Sequence, residues 1–468
     1  MRKTLALLLA ASFLYVVASA PIPINSQTVA AAATSKYQTV ANPIPNRYIV
    51  VLATTDLTPI VTPAPTPVAA KTKTVSASSG SASAANSGDS NLAFAVAEPI
   101  PADSQVEATA MELTAAYGGT FSLTWSYALK GFRLHSTEAE AIAMSGDSKV
   151  AFIVQDGAIA VGSPDADPVA MTPNEGPWGG AFDIPQPNAS WGLDRIDQRE
   201  LPLNQEYRYT DTGTGVNAYV IDTGILPTHW EFQGRAFPIY DAVDREGTGI
   251  DCNGHGSHVA GIIGGQTFGV AKNVRLFGVR VLNCLGAGTW SDVIDGINFV
   301  TWHYRQPEQQ GAPAVANMSL GGDTNRAADA AVRNSIRAGV TYVVAAGNGN
   351  ADVSTYSPAG VVEAITVGAT NGTDARADFS NHGLTLDLFA PGVSIPSAWI
   401  GDGGVMIANA TGTSMASPFV AGAVALYLQN HRTASPAVVR STLVGASTIG
   451  LVRNPGEGTP NRLLYSSY

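Results

Sequence analysis

From about residue 191 onward, short continuous apolar runs alternate with helical stretches, and this alternation limits the folds that the chain can adopt. Helical patterns lie at 255–265, 288–304, 325–338 and 414–430. The runs are VNAYVIDTG, VRLFGVRVL, AVANMSLGG, TYVVAAGNGN, AITVGAT and LDLFAPG. Strands that are apolar along their whole length are buried on both faces, and intervening helices favour parallel pairing. We therefore predict an α/β fold over residues 190–468, with a mostly parallel, doubly wound sheet flanked by helices.

A smaller unit with a different pattern precedes this sheet. Strand-like and helical segments alternate at 46–53, 105–117, 121–135, 136–145 and 150–161. They predict a small α+β domain over 46–163, in which 150–161 forms one or two strands. Within it, 55–92 is rich in proline, serine, alanine and glycine and predicts a flexible insertion.

The amino terminus, MRKTLALLLAASFLYVVASA, combines two basic residues, an apolar run and a small-residue end. This is the pattern of a secretory signal peptide over 1–20. Its apolar core is short for a membrane span, and no stretch of 18 apolar residues follows. We therefore predict a secreted protein that does not bind a membrane. Residues 21–45 are expected to form a disordered tether, and 164–189 a linker.

Charge and cysteine content narrow the possible partners and cofactors. The net charge is 26 − 37 = −11, and no cluster of basic residues could follow a phosphate backbone, which excludes nucleic acid. In an exported chain, the two cysteines, Cys252 and Cys284, favour a disulfide, with two free thiols as the alternative. A zinc site is disfavoured, because two cysteines supply only two of the four ligands of a tetrahedral zinc ion.

Ser414, within NATGTSMASPFVAG, precedes a long helical run and is a candidate nucleophile. A serine is weakly nucleophilic unless a base takes its proton and an acid orients that base. His255, at the glycine-flanked helix start in DCNGHGSHVAG, and Asp222, at the end of the strand AYVID, supply those two groups. Each residue alone also fits a structural role: a helix start, a buried histidine or a turn.

Two more features surround this candidate triad. Asn348 ends the run VVAAGNGN, and its amide and the Ser414 N–H at a helix start can both donate to an oxyanion. Pro418 is expected in the first turn of that helix, where no N–H donor is needed. His258 lies one turn beyond His255, but HGSH lacks the glutamate and third ligand of a zinc site.

Five motifs, in register along the chain, resemble those of the subtilase family. They are VIDTGI, NGHGSHVAG, NMSLGG, AAGNGN and GTSMASPFVAG, and their acid–histidine–serine order is that of subtilisin. WGLDRIDQRELPLN and VRLFGVRVLNCLGAG are similar to the proteinase K branch, and to aqualysin-like enzymes in particular. The resemblance spans about 190–468, and 46–162 resembles the family's inhibitory propeptide through RYIVVL and GFRLHSTEAEAIA.

This resemblance implies a secreted serine endopeptidase of broad specificity for protein and peptide substrates. It implies that Asp222 orients His255, that His255 is general base and then acid, that Ser414 attacks, and that Asn348 stabilises the oxyanion. The propeptide would inhibit the enzyme within the chain until a cut between about 164 and 187. Apolar or aromatic residues are expected at P1, and the residues expected to contact substrate are Ser319, Leu320, Gly321, Ala345 and Gly347.

The resemblance also implies structural features but no cofactor for catalysis. Cys252 and Cys284 match one aqualysin disulfide, whereas Ser354 and Thr385 stand where a second would be. A structural calcium ion is expected at Asp387 with the main-chain carbonyls of Val362 and Ala364; an exposed aspartate without calcium is the alternative. We expect a monomer.

Two rival functions remain at this stage. One is a binding protein that keeps the fold without catalysis, against which all four of Asp222, His255, Asn348 and Ser414 argue. The other is a serine esterase, which more often has a Gly-x-Ser-x-Gly turn and its serine first in the chain.

Overall fold

A computed structural model describes residues 36–53, 100–161, 167–170, 185–401 and 406–468. The predicted signal peptide and the predicted insertion at 55–92 lie outside these residues, as does most of the predicted linker. The described residues belong to one compact unit. Among them, no helix has the length and apolar character that crossing a bilayer requires.

The helices follow the sequence patterns closely, and α3 and α8 are additional to those predicted. They are α1 Ser104–Tyr117, α2 Glu138–Ser145, α3 Trp191–Ile196, α4 His255–Gly264, α5 Trp290–Tyr304, α6 Arg326–Ala338, α7 Thr413–Asn430 and α8 Pro436–Ala446. Single 3₁₀ turns occur at Trp230–Phe232, Pro307–Gln309 and Val353–Thr355.

The strands are numbered along the chain in the same way. They are β1 Tyr37–Gln38, β2 Pro43–Leu52, β3 Thr120–Trp125, β4 Gly131–His135, β5 Val150–Ala160, β6 Asp167–Ala170, β7 Gln186–Pro187, β8 Glu206–Tyr207, β9 Asn217–Asp222, β10 Ala236–Asp241, β11 Arg275–Arg280, β12 Ala287–Thr289, β13 Ala314–Met318, β14 Gly322–Asp323, β15 Thr341–Ala345, β16 Tyr356–Ser357, β17 Ile365–Thr370, β18 Leu388–Pro391, β19 Ile395–Trp399, β20 Met406–Ala410, β21 Thr448–Ile449 and β22 Arg462–Leu463.

The main sheet of the described chain has nine strands in the order β10-β11-β9-β13-β15-β17-β18-β22-β21. All pairs are parallel except β21 with β22. The six predicted runs are β9, β11, β13, β15, β17 and β18, and they are buried along almost all of their length. The predicted parallel sheet is confirmed.

Helices cover both faces of this sheet, as predicted for a doubly wound fold. Alternate residues of β9 point to opposite faces: Ala218 and Val220 join one buried cluster, and Tyr219 and Ile221 join the other. The first cluster contains the apolar residues of α4 and α7, and the second contains those of α5 and α6. On the first face, α4 and α7 pack against each other.

The amino-terminal unit is a sheet in the order β1-β5-β2-β4-β3, and β2 to β5 pair antiparallel. Helices α1 and α2 cover one face with their own core, and the other face packs into the cluster that holds α5 and α6. Residues 150–161 give one strand rather than two. The predicted disordered tether is too long, because β1 pairs with β5 and the Lys36 amine donates to the carbonyl of Val150.

Candidate active site

Asp222 and His255 form a buried pair at the carboxyl edge of the sheet. Asp222 is the last residue of β9, and His255 is the first residue of α4. His255 Nδ1 lies 2.8 Å from Asp222 Oδ1, and the two side chains are 1% and 0% exposed. The second ring nitrogen, Nε2, is buried without a hydrogen-bond partner among the described residues. The acid therefore orients the imidazole and leaves Nε2 free to accept a proton.

Two opposing effects set the basicity of this imidazole. Burial, the largest effect, lowers the pKa of His255, because it removes the imidazolium from water. The charge and hydrogen bond of Asp222, with the charge of Asp251, outweigh burial, so that the pKa of His255 ends above 6.5. His258 differs: burial lowers its pKa to about 3, and its Nε2 lies 3.0 Å from the carbonyls of Ile395 and Ala408. His258 is thus a neutral structural residue.

Ser414 is the second residue of α7, and its side chain is paired with Ser319. Ser414 Oγ donates to the Ser319 carbonyl at 3.1 Å, and Ser319 Oγ donates to the Ser414 carbonyl at 2.7 Å. The second bond is possible because Pro418, four residues along the helix, has no N–H to bond that carbonyl. Pro418 lies in the second turn rather than the first, so the sequence prediction misplaced it; the Ser319 hydroxyl compensates for the missing donor.

Asn348 lies beside the amino end of α7, where Thr413 fixes its orientation. Its Oδ1 accepts hydrogen bonds from the Thr413 amide at 2.9 Å and the Thr413 hydroxyl at 2.8 Å. A Cβ added at Gly412 would lie 3.3 Å from Asn348 Nδ2 and 3.6 Å from the Ser414 amide nitrogen. Two N–H donors thus flank one small space next to Ser414, which an oxyanion hole requires.

A pocket opens beside Ser414, and its walls carry no charged side chain. The predicted substrate-contacting residues are among its lining residues: Ser319, Leu320, Gly321, Ala345 and Gly347. Asn348, Thr413 and Ser414 also line it. Ala160 and Val161, at the end of the amino-terminal unit, line it as well, and the remaining lining residues are Ala346, Tyr356, Ser357 and Ala359.

The predicted disulfide is present, with a Cys252–Cys284 S–S distance of 2.05 Å. It joins the loop before His255 to the loop before β12. At the expected calcium site, Asp387 Oδ1 accepts from Arg440 at 2.5 Å, and Oδ2 accepts from the Thr366 amide at 2.9 Å. The calcium ion expected at Asp387, Val362 and Ala364 stays a prediction.

Sequence reasoning missed two side chains that hold the site together. Thr413 orients Asn348, and Asp251 accepts five hydrogen bonds around the start of α4. Both lie inside the quoted motifs, but only the folded chain reveals what they contact.

A buried acid–imidazole pair, a serine at a helix start and two adjacent N–H donors on a parallel α/β sheet define a serine hydrolase. The subtilase family model matches residues 213–463. An extracellular serine proteinase of Thermus sp. is 48% identical over 363 residues, which cover 78% of this chain and 82% of that protein. The chain belongs to the subtilase family, and it is a subtilisin-like serine endopeptidase.

Two further relatives agree with this assignment. Alkaline serine exoprotease A of Vibrio alginolyticus is 46% identical over 342 residues, 73% of this chain and 59% of that protein. The crystal structure of a cold adapted subtilisin-like serine proteinase shares 50% sequence identity, with a TM-score of 0.56. The match covers 60% of this chain and 99% of that chain.

Proposed function

We propose that this chain is a secreted endopeptidase of broad specificity that favours apolar or aromatic residues at P1 and is made as a self-processing zymogen. The observation that carries the proposal is the uncharged pocket beside Ser414, into which the end of β5 extends. The Thermus and Vibrio relatives are named an extracellular proteinase and an exoprotease, which supports secretion together with the signal-peptide pattern. We further propose that the enzyme acts as a monomer.

The proposed reaction begins when Ser414 Oγ turns from the Ser319 carbonyl to His255 Nε2. His255 removes the hydroxyl proton as Ser414 attacks the scissile carbonyl, and Asp222 stabilises the resulting imidazolium. His255 then gives the proton to the leaving amine, and water hydrolyses the acyl-enzyme by the same route. Small residues around Ser414, such as Thr413 and Ala416, let a peptide backbone approach.

Replacing Asn348 by alanine should lower kcat by about 100- to 1000-fold with little change in KM, the loss measured for the oxyanion asparagine of subtilisin, a member of this family. The reason is that Nδ2 would donate only to the charged oxygen of the tetrahedral intermediate. Steady-state hydrolysis of a chromogenic peptide measures both constants. Asn334→Ala, a change on the outer part of α6, serves as control, and an Asn348→Ala enzyme with unchanged kcat would contradict the assignment.

The end of β5 supports the zymogen proposal because it lies where an extended substrate would. Its residues 158–160 pair antiparallel with β12, and the Val161 amide donates to the Gly286 carbonyl at 2.9 Å. On its other side, a Cβ added at Gly322 would lie 3.6 Å from Ile159 Cγ2. A strand held between these two segments blocks access of other peptides to Ser414.

Polar contacts also hold the amino-terminal unit against α5. Asp156, fully buried, accepts from the Ser291 amide and hydroxyl at the start of α5 and pairs with Arg47 at 2.7 Å. Asn298 Oδ1, two turns further along α5, accepts the backbone amides of three successive residues at 3.2, 2.7 and 3.0 Å: Ser126, Tyr127 and Ala128.

We expect Asn298→Ala to loosen this interface, because it leaves three buried amides without their acceptor. Each unsatisfied buried donor costs about 1–3 kcal/mol, so amide exchange around 126–128 should rise at least about tenfold. Hydrogen–deuterium exchange on the full chain carrying Ser414→Ala, which prevents cleavage, measures this. Asn334→Ala is again the control. Exchange equal to that of the parent would show that the contact does not hold the unit.

The specificity and processing parts of the proposal have a direct test. Cleavage of a denatured protein by the purified active form, with the products sequenced by mass spectrometry, gives the P1 preference. Amino-terminal sequencing of that form gives the maturation point, which we expect between about 164 and 187. A preference for charged P1 residues, or an active form that retains residues 46–161 covalently, would contradict the corresponding part.

A further inference from the structure

We infer that Asp251 is a positioning residue that holds Asp222 and His255 in register, an inference that rests on the roles proposed for those two residues. Asp251 lies in the loop before α4, four residues ahead of His255, and is 5% exposed. Asp251 does not line the pocket beside Ser414, and the hydrogen bonds of its side chain within the described residues go to Thr223 and to residues 253–257. Any effect of Asp251 on catalysis must therefore act through these neighbours.

Both carboxylate oxygens of Asp251 are fully engaged by this loop and the first turn of α4. Oδ1 accepts from the Asn253 amide and the Gly254 amide, both at 2.9 Å. Oδ2 accepts from the Ser257 amide at 2.9 Å and the Ser257 hydroxyl at 2.7 Å. The loop that carries His255 thus closes around one buried anion, which also lies favourably at a helix amino terminus.

The same carboxylate reaches the strand that carries the catalytic acid. Thr223, the residue after Asp222, donates from Oγ1 to Asp251 Oδ1 at 2.9 Å. Thr223 Oγ1 in turn accepts from the Gly256 amide at 2.9 Å. Thr223, which follows Asp222, is therefore hydrogen-bonded both to Asp251 and to Gly256, which follows His255. These bonds join the two segments whose side chains form the 2.8 Å contact between Asp222 and His255.

The two segments pack closely around this link. A Cβ added at Gly256 would lie 2.1 Å from the Gly224 carbonyl oxygen, and one added at Gly224 would lie 2.8 Å from the Asp251 amide nitrogen. On the outer side, Asn253 Nδ2 donates to the Cys284 carbonyl, and the disulfide anchors Cys252. The loop is held from both sides, with Asp251 at its centre.

Asp251 also acts on His255 through charge. The charged and titratable groups that act on His255 are Asp222, Asp251 and His258. His258 lies one turn further along α4, and its lowered pKa keeps it neutral. Asp222 and Asp251 both raise the pKa of His255. Loss of the Asp251 charge should therefore lower that pKa, so that activity persists to lower pH.

The test compares Asp251→Asn with the wild type in hydrolysis of one chromogenic peptide over a range of pH. Asparagine keeps the size but loses the charge and cannot accept all five hydrogen bonds, so the loop and His255 shift. We expect kcat to fall about 10- to 100-fold, the size expected for misplacing a reacting group by up to an ångström. We expect KM to change little and the acid limb of kcat/KM to move to lower pH.

The matched control is Asp241→Asn, another buried aspartate that accepts loop amides. Asp241 Oδ1 accepts from the Val243 and Asp244 amides, and Oδ2 accepts from the Gly249 amide and pairs with Arg280 at 2.8 Å. Unlike Asp251, Asp241 thus bonds neither Thr223 nor the first turn of α4. Asp241→Asn should lower the melting temperature without moving the acid limb. Thr223→Val removes only the two hydrogen bonds of the Thr223 hydroxyl, to Asp251 and from Gly256. It is the second variant in case Asp251→Asn does not fold.

Because Thr223→Val breaks only these two bonds, we expect it to fold and to lower kcat by about threefold to tenfold.

Ser414→Ala in the same assay separates this inference from the proposed function. If the wild type cleaves the peptide and Ser414→Ala does not, the proposed function stands, and the Asp251 and Thr223 variants test the inference alone. A folded Asp251→Asn with wild-type kcat and acid limb would overturn it. So would a folded Thr223→Val with wild-type kcat, if Asp251→Asn fails to fold. A wild type that does not cleave the peptide would overturn both.

Discussion

Replacing Ser414 by alanine should lower kcat by about 10⁶-fold, the loss that removal of the nucleophile causes in subtilisin, which belongs to the same family. Without Oγ no acyl-enzyme can form, and His255 and Asp222 have no proton to move. The oxyanion donors and the pocket remain, so a small rate above that in water should persist. A sensitive peptide assay measures the loss, after an unrelated protease has cut the Ser414→Ala precursor in the segment 164–187 and has been inhibited.

The same variant tests self-processing. Full-length Ser414→Ala, expressed without other proteases, should remain at the precursor size, whereas the wild type should convert to a shorter form. Ser417→Ala is the matched control: Ser417 lies on the next turn of α7 and donates to Asn317 at 2.7 Å, and neither residue lines the pocket. It should cost stability and leave kcat within a few-fold. Spontaneous conversion of Ser414→Ala would contradict the zymogen proposal.

Asp222→Asn should lower kcat by about 10⁴-fold, as loss of the triad acid does in serine proteases, subtilisin included. The amide that replaces the carboxylate neither stabilises the imidazolium nor selects the tautomer that leaves Nε2 free. Because the Asp222 charge raises the pKa of His255, its removal lowers that pKa. The base must be neutral, so the remaining activity should extend to lower pH.

A pH–rate profile of kcat/KM for Asp222→Asn and the wild type checks both parts. Asp241→Asn provides the control for loss of a buried carboxylate elsewhere. A loss of tenfold or less, or an acid limb that does not move, would mean that Asp222 is not the partner on which His255 depends.

The main sheet, and the positions of the candidate site residues at the ends of its strands, could be predicted because their signals are local in sequence. The strands β13 and β15, for example, are mostly apolar in sequence and buried at every residue, as expected of strands that are covered on both faces. Asp222 and Asn348 stand where apolar runs end, and in parallel sheets those ends meet at one edge. The edge strand β10 was missed because an exposed phenylalanine, Phe237, and a buried proline, Pro238, interrupt its pattern.

Features that depend on contacts between distant segments could not be predicted. Arg440 pairs with Asp387 across 53 positions, and nothing near Asp387 in sequence indicates a guanidinium. Asp156 meets Ser291 across 135 positions. Residues 36–45 look disordered by composition, but β1 is ordered because the edge of β5 offers it a partner. In each case the arrangement depends on a contact with a distant segment, which local composition does not indicate.

The central claim is that Ser414 is the activated nucleophile, and covalent labelling tests it most directly. The matured enzyme is reacted with a fluorophosphonate, digested, and analysed by mass spectrometry for the modified residue. We predict a single adduct, on the peptide that contains Ser414, and much slower labelling in Asp222→Asn. An adduct on another residue, or an enzyme that cleaves peptides yet leaves Ser414 unmodified, would contradict the account.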